Sequence, residues 1–201
     1  THSGMTNQYT RVSLLSSTLQ NLSSAYTNSS SSIERDGLAA GTYYIRVDSY
    51  YTSHIHGYSI EPSFLSIPTV NDIEPNGTFS DAQVLALNGF ASGQVGYREY
   101  NDNPQDAEDW FSVTTTAEGR LDVSIETHIN EHVYVYLYDG NGTTLLESAF
   151  TEDTAGFTRT ISKDGLAPGQ YFIRVKTYNS NDFAPYTLSN TLTLTPHPTE
   201  G

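Results

Sequence analysis

Residues 36–47, DGLAAGTYYIRV, return as DGLAPGQYFIRV at residues 164–175, with nine of the twelve positions identical at an offset of 128. The same offset pairs Tyr50 with Tyr178, Tyr58 with Tyr186 and Pro68 with Pro196. Upstream, Val12-Ser13-Leu14 matches Val135-Tyr136-Leu137 once about five residues are allowed for a longer loop near residues 151–158. Such a repeat organises the whole chain, because 201 residues hold one unit of about 128 and 73 more. Residues 69–196 make a complete copy, residues 1–68 match only its second half, and residues 197–201 stand where the linker to a following copy would begin. The pattern reads as a window on a longer tandem array. Half a sandwich leaves unpaired strand edges and an uncovered core face, so either the missing half has been removed or another chain supplies its strands.

Inside the complete copy, Leu121, Val123 and Ile125 alternate with Asp122, Ser124 and Glu126, and Val133, Val135 and Leu137 alternate with Tyr134, Tyr136 and Tyr138. A period of two marks strands with one buried face. Asp139-Gly140-Asn141-Gly142 follows as a hairpin turn, since Asn and Gly tolerate positive φ. Further strands are expected over residues 157–161, 170–175 and 186–194, and no ten-residue window carries a 3.6 period. The expected fold is all-β: an antiparallel, jelly-roll-like β-sandwich in tandem repeat.

Fifteen tyrosines and abundant Ser and Thr suit pleated, half-buried surfaces. The formal net charge of −14 excludes nucleic acid as a partner, because that affinity comes from Lys and Arg on phosphates. It also opposes anionic membranes and favours divalent cations. With no cysteine, disulfides, thiolate nucleophiles and Cys-ligated metals are excluded. No apolar stretch approaches the ~20 residues of a membrane span, and no basic-then-apolar leader opens the sequence. Membrane insertion is therefore not expected, and any targeting information lies elsewhere.

Several motifs occur in a telling order: Asp72-Ile73-Glu74-Pro75-Asn76-Gly77-Thr78 with Ala82 beyond it; Asp106-Ala107-Glu108-Asp109-Trp110-Phe111; the Tyr136–Gly142 hairpin; Ala167-Pro168-Gly169-Gln170-Tyr171-Phe172-Ile173-Arg174-Val175; and Pro185-Tyr186-Thr187-Leu188. Together they resemble the bacterial pre-peptidase C-terminal domain family and the related collagen-binding domains of clostridial collagenases. The resemblance covers residues 70–194, and residues 9–65 as a half copy. It implies a jelly-roll-like sandwich that accompanies secreted enzymes and surface proteins and is not itself catalytic.

Hard cations take six to eight oxygens, several of them carboxylates, from loops. Asp72, Glu74 and Asn76 occupy every second position, so an extended segment would project them to one side. Asp106 and Asp109 stand on a Pro104-containing turn just before Trp110. These five side chains are a candidate calcium cage, and solvated turn residues of an acidic protein are the alternative. The family resemblance also implies calcium at these acidic positions, although Gly77 stands where some relatives place another acid. The half copy lacks both segments and is expected to have no such site.

His128-Ile129-Asn130-Glu131-His132 matches an inverted zinc-protease motif, but that chemistry needs a helix, whereas these residues link two alternating runs. His54-Ile55-His56 could hold a transition metal or be exposed loop histidines. No G-x-S-x-G elbow occurs. Sequons stand at Asn21, Asn28, Asn76 and Asn141. Tyr134, Tyr136 and Tyr138 must face away from the core, where they could bind a protein or polysaccharide surface or pair across strands to stabilise the sheet.

The expected function is a non-catalytic, calcium-stabilised module of a secreted or cell-surface protein, with accessory, adhesive or structural work. Its partners would be calcium, further copies of itself or the rest of a longer parent. The alternatives are a filament or surface-layer subunit built by strand complementation between chains, and a hydrolase with an unrecognised site.

Overall fold

The computed structural model describes residues 9–51, 57–96, 106–179 and 182–195. His54, His56, Pro104 and the linker residues 197–201 lie outside them, and so do the expectations attached to those residues. Described residues up to Leu65 form one compact unit and those from Ser66 another.

The first unit is a three-stranded antiparallel sheet of β1 (Thr10–Leu15), β2 (Asn21–Thr27) and β3 (Tyr44–Ser49), in the order β2-β1-β3. Val12 stands opposite Val47, and Leu14 opposite Ile45. The β1–β2 turn is closed by Ser16, whose hydroxyl accepts from the Thr18 and Gln20 N–H groups. Before β3, the Tyr43 hydroxyl reaches back to the Ala39 carbonyl at 2.8 Å. Ser13 and Leu15 are buried, yet Ile45 on the other face is 43% exposed.

The second unit holds β4 (Gln83–Val84), β5 (Phe90–Val95), β6 (Glu108–Thr115), β7 (Gly119–Thr127), β8 (Val133–Tyr138), β9 (Leu145–Phe150), β10 (Thr158–Leu166), β11 (Gly169–Thr177) and β12 (Ala184–Leu194). They form two sheets, β10-β7-β12-β5 and β4-β6-β11-β8-β9. Every pairing is antiparallel except the short β4–β6 contact. From β5 to β12 the chain crosses between sheets at nearly every connection, as the jelly-roll-like expectation requires. The inward residues of both sheets meet in one core: Leu121, Val123 and Ile125 of β7, Val133, Val135 and Leu137 of β8, Ile173 and Val175 of β11, and Tyr186 and Leu188 of β12 are all fully buried. The alternation visible in the sequence is thus the inside–outside alternation of two packed sheets.

The only helical element among the described residues is a single 3-10 turn, Phe79–Asp81. No helix among them is long and apolar enough to cross a membrane. At the β8–β9 hairpin, Asn141 Oδ1 accepts from the Thr143 and Thr144 N–H groups. Gly142 there has φ of +68°, and a Cβ on it would meet the Phe79 ring at 1.9 Å. Backbone conformation and close packing therefore both demand glycine.

Candidate metal centre

Residues 72–76 enter the second unit as irregular chain, not as an extended strand. The sequence-based route to a shared face for Asp72, Glu74 and Asn76 therefore does not hold. Folding of the loop on itself brings them together instead. Asn76 is fully buried; its backbone N–H donates to Glu74 Oε2 at 3.0 Å, and its side-chain amide donates to Asp72 Oδ1 at 2.7 Å. The Asn76 carbonyl accepts from the Trp110 N–H at 2.9 Å, pinning the loop to β6. Asp109 corrects a second expectation: it lies inside β6, not in the turn before it, and is fully buried. Asp106 precedes the strand with φ of +56°, its carbonyl accepting from the Gly96 N–H.

Oxygen atoms of Asp72, Glu74 and Asp109 lie within 4.8 Å of one another. Asp106 interacts with all three. The Tyr186 hydroxyl donates to Asp109 Oδ2 at 2.6 Å. That leaves Asp109 Oδ1 buried without a partner, along with Asn76 Oδ1 and Asp106 Oδ2. The donation from the Asn76 amide to Asp72 fixes which end of that amide is spare. Three orphaned acceptors in one acidic cluster, with no hydrogen-bond donor to serve them, are a costly arrangement for a protein alone.

Electrostatics tell the same story. Burial, then the Glu74 charge, raises the Asp72 carboxyl to about 6 against the opposing hydrogen bond from Asn76. Burial and the charges of Glu74 and Asp72 push Asp106 up to about 7. Asp109 is raised well above the ordinary carboxylate range, first by burial and then by Asp72 and Asp106. Like charges held this close repel unless protons or a cation intervene.

Two residues of the site carried no signal in the sequence motifs read for it. A Cβ on Gly93 would stand 1.8 Å from Asp72 Oδ2, so β5 must carry glycine there for the carboxylate to enter. Tyr186, 77 positions from Asp109 in the chain, supplies the one hydroxyl that orients it. The Pro185-Tyr186 motif was visible, but nothing local tied it to the acids.

The histidine motif holds no metal-like geometry. Residues 128–132 link β7 to β8; His128 Nε2 contacts the Thr187 hydroxyl and His132 Nδ1 the Thr151 carbonyl. The sequon at Asn76 is closed to a glycan by its complete burial. Tyr134, Tyr136 and Tyr138 do face away from the core, each half-buried. Tyr134 stacks on Tyr136 at 5.6 Å and on Tyr178 at 5.3 Å, and Tyr138 packs on Trp110 at 5.3 Å. Arg174 lies over Trp110 and Tyr136 at 5.5 and 5.3 Å and ion-pairs with Glu108. Beside this row, a hollow of about 450 Å³ is bounded by Tyr134, Tyr136, Phe150 and Arg159.

Residues 107–177 match the family model of the bacterial pre-peptidase C-terminal domain. The resemblance seen in the sequence is shown there. The matched stretch contains Asp109 and the tyrosine row, while Asp72, Glu74, Asn76 and Asp106 precede it. Among solved structures, the pre-peptidase C-terminal domain of a Bacillus anthracis collagenase is similar at 17% identity and TM-score 0.40, covering 55% of this chain and 94% of that one. CorA, a surface-associated copper-binding protein of Methylomicrobium album BG8, is similar at 8% identity and TM-score 0.40, covering 56% and 98%. PliG, a periplasmic inhibitor of g-type lysozyme from Aeromonas hydrophila, is similar at 10% identity and TM-score 0.35, covering 55% and 97%. No curated protein matches the chain.

Proposed function

We propose that the second unit is a non-catalytic accessory β-sandwich of a secreted or surface protein, stabilised by a calcium ion at its entrance loop. The observation that carries this reading is the set of buried, unpartnered oxygens on Asn76, Asp106 and Asp109 beside the carboxylates of Asp72 and Glu74. All five donors are oxygen, and none is nitrogen or sulfur, which suits a hard cation and not a copper or zinc ion. The residues fit the group. Asp72, Glu74, Asn76, Asp106 and Asp109 would hold it, and the ion would supply positive charge where four carboxylates crowd. Its role would be structural: the loop at residues 72–76 and strand β6 would be clamped together, and the fold would gain stability by mass action. The outer tyrosine row, with the hollow beside it, would serve as a contact surface for a protein or polysaccharide.

Trp110, the one tryptophan, neighbours Asp109 and reports on this unit alone. Calcium at one hundred times its dissociation constant adds ~2.7 kcal/mol, on the order of 10 °C in the Trp110-detected melt. Asp109→Asn should abolish this gain while leaving the chelated protein no less stable, because the amide keeps an oxygen for the Tyr186 hydroxyl and brings a donor to the crowded carboxylates. An identical melt in calcium and in excess chelator refutes the calcium reading.

A further inference from the structure

The two units share a cluster of rings as well as their strands. At an offset of 124, Ser24-Ala25-Tyr26-Thr27 on β2 returns as Ser148-Ala149-Phe150-Thr151 at the end of β9. The ladders agree, since Arg11 faces Tyr26 as Tyr134 faces Phe150. Tyr9 and Tyr50 correspond likewise to His132 and Tyr178. The Tyr50 N–H donates to the Tyr9 carbonyl at 2.9 Å, and the Tyr178 N–H donates to the His132 carbonyl at 3.2 Å. In the first unit Tyr50 lies 6.5 Å from Tyr9 and 5.9 Å from Tyr26, centroid to centroid. In the second, Tyr178 lies 5.3 Å from His132 and 6.5 Å from Phe150. An arginine attends both clusters: Arg11 lies over Tyr26 at 5.6 Å, and Arg159 Nε donates to the Phe150 carbonyl at 3.0 Å. Residue types have changed between the copies, and the rings persist. Tyr26 and Tyr50 are 54% and 59% exposed, Phe150 and Tyr178 46% and 48%. Cross-strand pairing accounts for the ring contacts. It leaves about half of each side chain in water, and aromatic surface kept exposed in two diverged copies points to a ligand.

In the second unit the cluster borders a concavity. Tyr134, stacked on Tyr178 with 13° between the rings, joins Tyr136, Ser148, Phe150 and Arg159 around the hollow of about 450 Å³. Small-ligand sites run from ~300 to ~1,000 Å³, whereas a protein partner takes ~800 Å² of surface from each side. Charge then selects among small ligands and short polymer segments. A chain of net charge −14 repels polyanions. At the hollow itself Arg159, ion-paired with Glu152 only at 3.4 Å, opposes a cation. An uncharged ligand meets neither penalty. The electron-rich ring faces suit the C–H face of a pyranose. The Ser148 and tyrosine hydroxyls and the guanidinium supply donors and acceptors for its hydroxyls. We propose that the hollow beside Tyr178, Phe150 and Arg159 binds an uncharged polysaccharide, a few sugar rings at a time. This rests on the outer tyrosine row being a contact surface, and narrows its ligand to a neutral glycan.

The test titrates the whole chain, in calcium, with neutral pentamers of glucose, xylose, mannose, galactose and N-acetylglucosamine. Galacturonate and glucosamine pentamers are the charged counterparts. At least one neutral pentamer should bind, roughly threefold or more tighter than either charged one. Phe150→Ser and Tyr178→Ser should each weaken that binding by about five- to tenfold. Ser148→Trp, at an exposed position, should fill the hollow and abolish binding. The Trp110-detected melt should stay where it is in all three variants; a purely structural role would shift the melt and spare the affinity. Binding that survives Ser148→Trp, tighter binding of a charged pentamer, or no binding of any neutral pentamer would overturn the proposal. Fibrillar collagen is the protein probe. Retention on collagen without glycan binding removes this proposal and leaves the contact surface standing, and binding of neither removes both.

Discussion

The two units carry nearly the same twelve-residue segment, and it behaves alike in both where chemistry is local. Tyr43 bonds the Ala39 carbonyl at 2.8 Å, and Tyr171 bonds the Ala167 carbonyl at 2.8 Å. Both segments run into strands that pair with their predecessors in the same register. The contrast begins where distant chain must contribute. Ile173 and Val175 are sealed under the second sheet of their unit, while Ile45 is 43% exposed. Tyr186, on β12, is fully buried on Asp109, whereas Tyr58, 128 residues earlier, lies in irregular chain and is 65% exposed. Turn and ladder are thus written in the segment itself, and burial is conferred by strands far away in sequence.

The largest expected difference comes from truncating the same side chain in the two contexts. Ile173→Ala removes fully buried methyl groups and should cost about 2–5 kcal/mol. Ile45→Ala should cost under about 1 kcal/mol, since much of its side chain already meets water. Denaturant unfolding followed at Trp110 measures the first, and hydrogen exchange over β1–β3 measures the second. Equal costs would mean that the first sheet is covered in solution, which would break the contrast.

A middle-sized difference lies in the response to pH. Asp72 and Asp106 titrate at about 6 and 7 in the fold and at 3.8 in the reference state. Between those values the metal-free native unit holds protons that the unfolded chain has released. Its stability is therefore fully present below pH 4 and is lost as pH rises through 6 and 7. Allowing for the partial exposure of Asp72, the loss is about 2 kcal/mol between pH 5 and pH 8. Calcium should reverse the slope, because it replaces the protons and binds the deprotonated carboxylates. The first unit has no such cluster among its described residues and should show no matching trend. A metal-free Trp110 melt that strengthens from pH 5 to pH 8 would contradict the account of the cluster.

These contrasts also mark how far the sequence could be read. The strands of the second unit follow from alternation, since Leu121–Glu126 and Val133–Tyr138 carry their inside and outside in order. All five acidic or amide positions of the candidate site stood out by residue type and motif, and the structure gathers them, but not by the expected route. An extended 72–76 segment would have lined the three side chains up on one side, whereas the folded loop bonds them directly to one another, and Asp109 belongs to the strand. Gly93 and Tyr186 were invisible as site residues because each acts through contact with a residue distant in the chain, Asp72 and Asp109 respectively. Periodicity reports which face a side chain takes, not which distant side chain it will meet there.

The smallest effect is the most discriminating for the shared part. Tyr43→Phe and Tyr171→Phe each delete one hydroxyl whose bond to a carbonyl four residues back closes the turn before a strand. A single such bond contributes about 1 kcal/mol net. If the segment determines its own turn, the two substitutions should cost the same within a few tenths of a kcal/mol, despite the different burial of the strands that follow. Exchange protection over residues 44–49 and the Trp110-detected transition read the two costs separately. A full cost at Tyr171 with none at Tyr43 would show that even this local bond depends on a completed sandwich. The segment alone would then not suffice to set its own turn.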